Sequence, residues 1–346
     1  MRGRPVLVMV IAGVVASAIG IALGLTIHWF PTEASTQLGD IKTLYDVIII
    51  VSVPVFVLVM TVVIGAVVRF RMRPGQEDQD GPPIHGNTKL EVLWTAVPAA
   101  LILGLCAYSY VVLRDAERAP AATAPKEINI AVKGQQFAWT FTYPKDVAGG
   151  KALSTTELVL PEGRSVKFDI NSEDVLHDFW VPEFGMKIDA VPGITTHYRI
   201  TPNRLGTYPV VCAELCGLGH SVMRSTVHVV TEPQFKKWLG GQNKPAAPQG
   251  ASPAQLAAAG KQIFTGASGC SGCHTLSDAG ATGQIGPNLD QVLKGQSDAM
   301  LHQDIVDPNA AIAKGYGPNI MPQNFGQTLS ESDLNALVAY LKEATQ

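Results

Sequence analysis

The sequence predicts a multidomain membrane protein: transmembrane α-helices at the N-terminus, an antiparallel β-sandwich or barrel in the middle, and a small all-α domain at the C-terminus. Three observations carry this. Apolar residues crowd the first third of the 346-residue chain, where three long stretches hold almost no charge. From Glu127 to Val230 the pattern turns to short runs of Val, Ile, Thr and aromatics broken by Pro and Gly, the mark of strands and their turns. Beyond Trp238 comes an aperiodic segment rich in Gly, Pro, Ala and Gln, and then helical periodicity returns. A formal net charge of −3 and only 16% charged residues exclude a nucleic-acid partner and a disordered chain.

The apolar stretches cover residues 5–30, 47–68 and 92–113. Each has about twenty residues or more, enough for a hydrocarbon core of about 30 Å. Residues 1–30 are expected to form a first transmembrane helix or signal anchor, and residues 44–114 a transmembrane helical hairpin. Ala16-Ser17-Ala18 behind Arg2 and Arg4 resembles a processing site, but the apolar run continues to Phe30, so an uncleaved helix is expected. Arg69, Arg71 and Arg73 follow the second stretch and Lys89 precedes the third. The loop between them therefore faces the cytoplasm, and everything after Arg114 lies outside. Glu91 stands at the cytoplasmic mouth of the third stretch, where the helix dipole favours a carboxylate; a proton-uptake role is the functional alternative. Cys106, alone in an apolar run, reads as an inert packing residue.

Residues 120–231 form the middle domain. Its candidate strands are 127–133, 137–143, 157–160, 165–170, 176–181, 195–200, 207–211 and 224–230. Near its end Cys212, Glu214, Cys216, His220 and Met223 fall within a dozen residues, and His177 lies upstream on a candidate strand. Two thiolates and two imidazoles make a closed tetrahedral zinc site. They also suit copper, because soft sulfur ligands select it and a weak axial Met marks electron-transfer copper. Met223 just past His220, on a compact loop between strands, favours copper.

His177 together with Cys212-x-Glu214-x-Cys216-x-x-x-His220-x-x-Met223 resembles the binuclear copper (CuA) signature of cytochrome c oxidase subunit II, as does the run from His177 to Gly193. The resemblance implies a cupredoxin-like Greek-key β-sandwich in which Cys212 and Cys216 bridge two coppers. His177 and His220 would be terminal ligands, and Met223 and the Glu214 carbonyl axial ones. It also implies that the Glu214 side chain reaches a magnesium or manganese ion shared with subunit I. Glu91, Trp94, Thr95 and Pro98 resemble the family's membrane hairpin, which would make Glu91 a proton-uptake carboxylate. Phe137 and Ala138 stand where many relatives carry a Trp and a Tyr used for taking up electrons. Phe137 and Trp139 are the electron-path candidates, with ordinary strand packing an equal alternative for Trp139.

Residues 240–253 read as a flexible linker spanning on the order of 20 Å. Residues 254–346 form the last domain. Cys270-Ser-Gly-Cys273-His274 is the covalent c-type haem attachment pattern, with His274 the proximal iron ligand. A redox dithiol or a zinc knuckle is the competing reading. The sixth ligand is Met321, Met300 or His302; Met321 is favoured because it lies in a proline-framed loop, whereas Met300 falls in a helix. The segment resembles small class I c-type cytochromes, including Gly286-Pro287-Asn288-Leu289 and the closing helix. His28, His85, His197, His228 and His302 have no comparable constellation around them.

Together these readings give a membrane-bound subunit with its copper and haem domains on the outer side of a bacterial cell membrane. Electrons would pass from an external donor, a cytochrome or a quinol–cytochrome c reductase complex, to haem c and then to CuA. They would leave for subunit I, in a complex that also holds subunit III, for oxygen reduction coupled to proton pumping. The alternatives are the same relay in a CuA-containing nitric oxide reductase, and a membrane-anchored copper-delivery protein.

Overall fold

The computed structural model describes residues 3–72, 74–75, 83, 85–121, 125–150, 152–242, 250–265, 268–323 and 325–346. The chain divides into two compact units, Met1–Pro31 with Gly39–Arg118, and Thr32–Leu38 with Ala119–Gln346.

The first unit holds α1 (Gly3–Thr26), α3 (Thr88–Ala116) and, from Gly39 onward, α2 (Thr36–Phe70). All three are long and apolar enough to cross a membrane. Helix α2 has 35 residues, a length of about 50 Å, so it outruns the apolar stretch that defined it. Its first turns are polar, and a backbone hydrogen-bond ladder does not require apolar side chains to continue. Close approach joins α1 to α2. A Cβ on Gly20 would stand 2.8 Å from Val53, and one on Gly24 2.7 Å from Ile49. Small residues let the backbones near each other where lipid gives no hydrophobic drive. Trp29 and Phe30 meet Tyr45 edge-on at 5.9 and 5.3 Å, a group suited to the membrane interface. At the other end, Asn87 caps α3 by accepting from Leu90 N–H, and Glu91 accepts from Asn87 N–H at 3.0 Å. Arg73, used above to orient the hairpin, lies outside the described residues.

The second unit opens its sandwich with β1 (Ile128–Gln135), β2 (Ala138–Tyr143), β3 (Leu153–Thr155), β4 (Leu158–Pro161) and β5 (Val166–Ser172). It continues with β6 (His177–Trp180), β7 (Lys187–Ala190), β8 (Thr196–Ile200), β9 (Gly206–Cys212) and β10 (Arg224–Val230). Two five-stranded sheets form, ordered β3-β2-β1-β5-β8 and β4-β10-β9-β6-β7. The expected strands are present, and β3 and β7 add to them. The sandwich is not purely antiparallel: β1 pairs with β5, and β4 with β10, in parallel. Alternation explains the layers. Ile128, Ile130 and Val132 on β1 are buried, as are Val166, Phe168 and Ile170 on β5. The aromatic centre is Phe179, which lies 5.4 Å from both Trp139 and Phe168.

Helix α4 (Glu232–Gln242) follows and buries Phe235 and Leu239. Gly240, Gly241 and Gln242 are therefore helical rather than part of a linker, and Pro253 already begins the next helix. Two glycines in a last turn can still be carried by a helix whose preceding turn is anchored by an aromatic pair, here Phe235 and Trp238 stacked at 6.0 Å. Of the expected linker, residues 243–249 lie outside the described residues.

The C-terminal domain holds α5 (Pro253–Thr265), α6 (Cys270–Cys273), α7 (Leu289–Val292), α8 (Asp298–Val306), α9 (Phe325–Thr328) and α10 (Glu331–Ala344). Ser330 and Asp333 form a capping box on α10. Helices α5 and α10 cross at Gly260, where a Cβ would collide with the Ala336 carbonyl and lie 2.6 Å from Tyr340 Cβ. Gly260→Ala should therefore destabilise this domain by about 1–3 kcal/mol or more, read as a lowered Tm of the chain. An unchanged Tm would show that the two helices can slide apart without loss.

Candidate metal centre and haem site

The sulfur-rich loop runs from the end of β9 to the start of β10, so two adjacent strands of one sheet hold its ends. Cys212 N–H donates to the Met223 carbonyl at 3.1 Å and closes its neck. Strand β6 lies on the other side of β9, with Phe179 opposite Cys212. That register brings His177, at the head of β6, to the loop.

All six expected copper donors converge. Cys212 Sγ lies 3.8 Å from Cys216 Sγ, 3.9 Å from His177 Nδ1 and 3.2 Å from the Glu214 carbonyl oxygen. Cys216 Sγ lies 3.7 Å from His220 Nδ1 and 3.7 Å from Met223 Sδ. Among the described residues, His177, Cys212 and Cys216 form a buried metal-competent group with ligand atoms within 4.8 Å of one another. The thiols titrate as a pair. Burial raises Cys212, but hydrogen bonds from His177 and the neighbouring backbone outweigh it and bring the thiol down. Burial and the adjacent Cys212 charge push Cys216 up. The loop thus yields one thiolate readily and resists the second, an opposition that bound cations remove. A single tetrahedral zinc accounts for two thiolates and two imidazoles. It leaves the buried Met223 thioether and the inward Glu214 carbonyl without a purpose, whereas a two-copper centre uses every donor.

Glu214 points its side chain from the same loop and is half-buried. Asp178 is buried and takes an ion pair from Lys187 at 3.1 Å. Burial raises the Asp178 carboxyl, and the charges of Asp189 and Glu214 add to this. Trp139 is 1% exposed, its ring edge-on to His177 at 6.0 Å. Phe137 is half-buried and lies against the sulfur-rich loop: a Cβ on Gly219 would be 2.5 Å from its ring.

In the C-terminal domain the motif Cys270–Cys273 forms one helical turn, and His274 leaves it in extended conformation. Nδ1–H of His274 donates to the Pro287 carbonyl at 2.9 Å, which commits one nitrogen and leaves Nε2 for a ligand. Burial, opposed by this bond, holds His274 below the usual imidazole range, so the ring is neutral near pH 7. Burial also raises both cysteine thiols, Cys270 to about 12. A cavity of about 490 Å³ opens onto Cys270, Cys273, His274, Met321 and Met300. Its apolar walls and these donors fit a covalent haem. His302 does not line it and turns towards Glu331 instead, at 3.8 Å. Met321 is half-buried and Met300 is 52% exposed on α8. The Met321 loop is pinned two residues earlier: Asn319 N–H donates to Asn309 Oδ1 at 2.9 Å, and Asn309 Nδ2–H to Asn319 Oδ1 at 2.6 Å. Sequence reasoning missed Asn309, Asn319 and the Pro287 carbonyl. Their contacts join residues about ten or more apart, which no local motif records.

The two motifs face one another. Phe137, Leu218, Gly219 and Ser221 share a cavity wall with Ser271 and Gly272 of the haem motif.

Residues 21–112, 128–230 and 257–345 match, respectively, the families described as cytochrome c oxidase subunit II, transmembrane domain; cytochrome c oxidase subunit II, periplasmic domain; and cytochrome c. The chain is 34% identical to a cytochrome c oxidase subunit 2 of Thermostichus vulcanus over 66% of its own length and 82% of that protein. It is 32% identical to a subunit 2 of Alkalihalophilus pseudofirmus over 85% of its own length and 84% of that protein. A crystal structure of the periplasmic domain of a cytochrome oxidase subunit II of Bradyrhizobium japonicum aligns with TM-score 0.32 and 27% identity, covering 35% of this chain and 96% of that one.

Proposed function

The chain belongs to the cytochrome c oxidase subunit II family, and from that premise we propose that it is the electron-accepting subunit of a haem–copper oxidase, relaying electrons from covalent haem c to CuA and on to subunit I for oxygen reduction coupled to proton pumping. It is an oxidoreductase subunit, anchored by its membrane helices with the copper and cytochrome domains on the outer side. The oxygen chemistry resides in a partner subunit, and copper and haem are the cofactors its two outer domains imply.

One observation carries the reading: two redox motifs of a single chain line one cavity, Leu218 and Gly219 on one side and Ser271 and Gly272 on the other. When bound, the copper pair and the haem supply one-electron redox chemistry. This chain's residues hold and separate them. Cys212, Cys216, His177, His220, Met223 and the Glu214 carbonyl hold the coppers. Cys270 and Cys273 tether the haem, while His274 and Met321 hold its iron. A frame tied at its neck by Cys212 and Met223 restricts rearrangement when the charge changes. Phe137, packed against the loop, and Trp139, against His177, are aromatic groups between the sites. The Glu214 side chain beside buried Asp178 supports a magnesium or manganese site at the boundary with subunit I. Glu91, which accepts from the backbone of the α3 cap residue Asn87, is the proton-uptake carboxylate. Subunit III completes the complex. The external donor, a cytochrome or a quinol–cytochrome c reductase complex, meets the haem domain.

Metal analysis and spectroscopy of the complex purified from its native membrane test this. The expected result is two coppers per covalent haem, a near-infrared mixed-valence absorption, and a co-purifying subunit that consumes oxygen. Zinc in place of copper, or turnover of nitric oxide without oxygen, would overturn it.

A further inference from the structure

The copper donors are held from behind by a connected set of residues that belongs to neither motif. His177 uses both ring nitrogens: Nδ1 faces Cys212 Sγ, and Nε2–H donates to Asp174 Oδ1 at 2.9 Å. That carboxylate is fixed in turn. Val175 N–H donates to Oδ1 at 2.7 Å, the Ser172 hydroxyl reaches Oδ1 at 3.3 Å, and Gln136 N–H donates to Oδ2 at 2.7 Å. Gln136 then crosses to the other half of the site, where its Nε2–H donates to the Cys216 carbonyl. Its neighbour Phe137 covers the loop at Gly217 and Gly219, positions where a Cβ would meet the ring at 3.3 and 2.5 Å. The turn between β1 and β2 thus touches both the turn that leads into His177 and the loop that carries Cys216 and His220.

Resting on the copper reading above, we propose that Asp174 and Gln136 are positioning residues of the copper centre. Asp174 fixes the tautomer of His177 and the direction of its ring. Gln136 ties that carboxylate to the Cys216 backbone, so donors from separate strands keep one geometry. Without Asp174 the imidazole could turn about its Cβ–Cγ bond and withdraw Nδ1 from Cys212. A ligand histidine whose second nitrogen is held by a carboxylate is also a stronger base towards metal. Asp174 does shape its own turn through Ser172 and Val175, so the test needs a readout that a turn-forming role alone would leave unmoved.

The readouts are the copper hyperfine pattern and copper retention against a chelator, both in the intact oxidase complex. Asp174→Ala should cost roughly 10- to 100-fold in copper affinity and alter the hyperfine pattern, with haem content and haem spectrum unchanged. Asp174→Asn keeps an oxygen for His177 and Val175 but sets its amide NH2 against the Gln136 N–H, so it should restore part of both and stay short of wild type. Gln136→Ala, at a half-buried position, should loosen the Cys216 side and broaden the pattern with a smaller loss of copper. Asp174→Ala with wild-type spectrum and chelator resistance overturns the proposal, and so does Asp174→Asn behaving like alanine. A wild-type complex lacking the mixed-valence copper signal fails the copper reading itself, before any variant is made.

Discussion

Replacing Cys216 with serine is expected to abolish the near-infrared copper absorption and stop oxygen consumption from reduced cytochrome, while the covalent haem is still reduced normally. Cys216 is the hub of the donor shell, with Cys212 Sγ, His220 Nδ1 and Met223 Sδ all within 3.8 Å of its sulfur. A serine hydroxyl is a hard donor that stays protonated near neutral pH and cannot replace a soft bridging thiolate. The loss should exceed the roughly 10- to 100-fold that removing an outer partner costs. Steady-state oxygen uptake and stopped-flow haem reduction on one preparation separate the two steps. Turnover near wild type would mean that electrons bypass the loop.

The candidate donors are legible in the sequence because their chemistry is local. Cys212, Glu214, Cys216, His220 and Met223 fall within one loop, and Cys270, Cys273 and His274 within one turn. His177 joins the candidates as a histidine on a strand with few rivals, and the structure brings it to the loop. Asp174 was harder. A carboxylate three residues before a histidine is common, and only the register of β6 against β9 shows that this histidine turns one nitrogen to Cys212 and the other to Asp174. Gln136 carried no signal at all, because its role depends on a chain crossing from Asp174 to a carbonyl 80 residues away. The same contrast holds for the fold. Strands were legible from alternation, but β3 with three residues and β7 with the alternation Lys187-Ile188-Asp189-Ala190 were too short to stand out. The parallel pairings β1/β5 and β4/β10 were illegible, since alternation fixes which face a residue takes and not which strand lies beside it. Helix α2 began about ten residues before its apolar stretch for a related reason: hydropathy reports the lipid, and the hydrogen-bond ladder does not stop there.

The double substitution Cys270→Ala/Cys273→Ala should remove the haem and, with it, the packing of the C-terminal domain, while the copper absorption survives. The core residues Phe264, Leu289, Leu301, Ile305, Leu337 and Leu341 all line the cavity of about 490 Å³, so this core is built around what fills it. Left unfilled, it exposes faces of these six side chains to water, and at about 1.5–3 kcal/mol per fully buried apolar side chain the loss reaches on the order of 10 kcal/mol. That is comparable to the entire stability of a domain, so the helices should collapse or fray. The sandwich has its own separate core around Phe141, Phe168 and Phe179 and should not follow. Haem staining on a denaturing gel, limited proteolysis of the C-terminal domain and near-infrared spectroscopy read the three consequences. A haem-free domain that still resists protease would show that α5 and α10, closed on each other at Gly260, suffice to hold it. Oxygen consumption decides the electron path in the same variant. Phe137 lies against the copper loop where the haem motif shares its cavity, so a donor that normally works through the haem should lose turnover almost completely. Retained turnover would mean that an external cytochrome reaches Phe137 and the coppers directly once the haem domain has loosened.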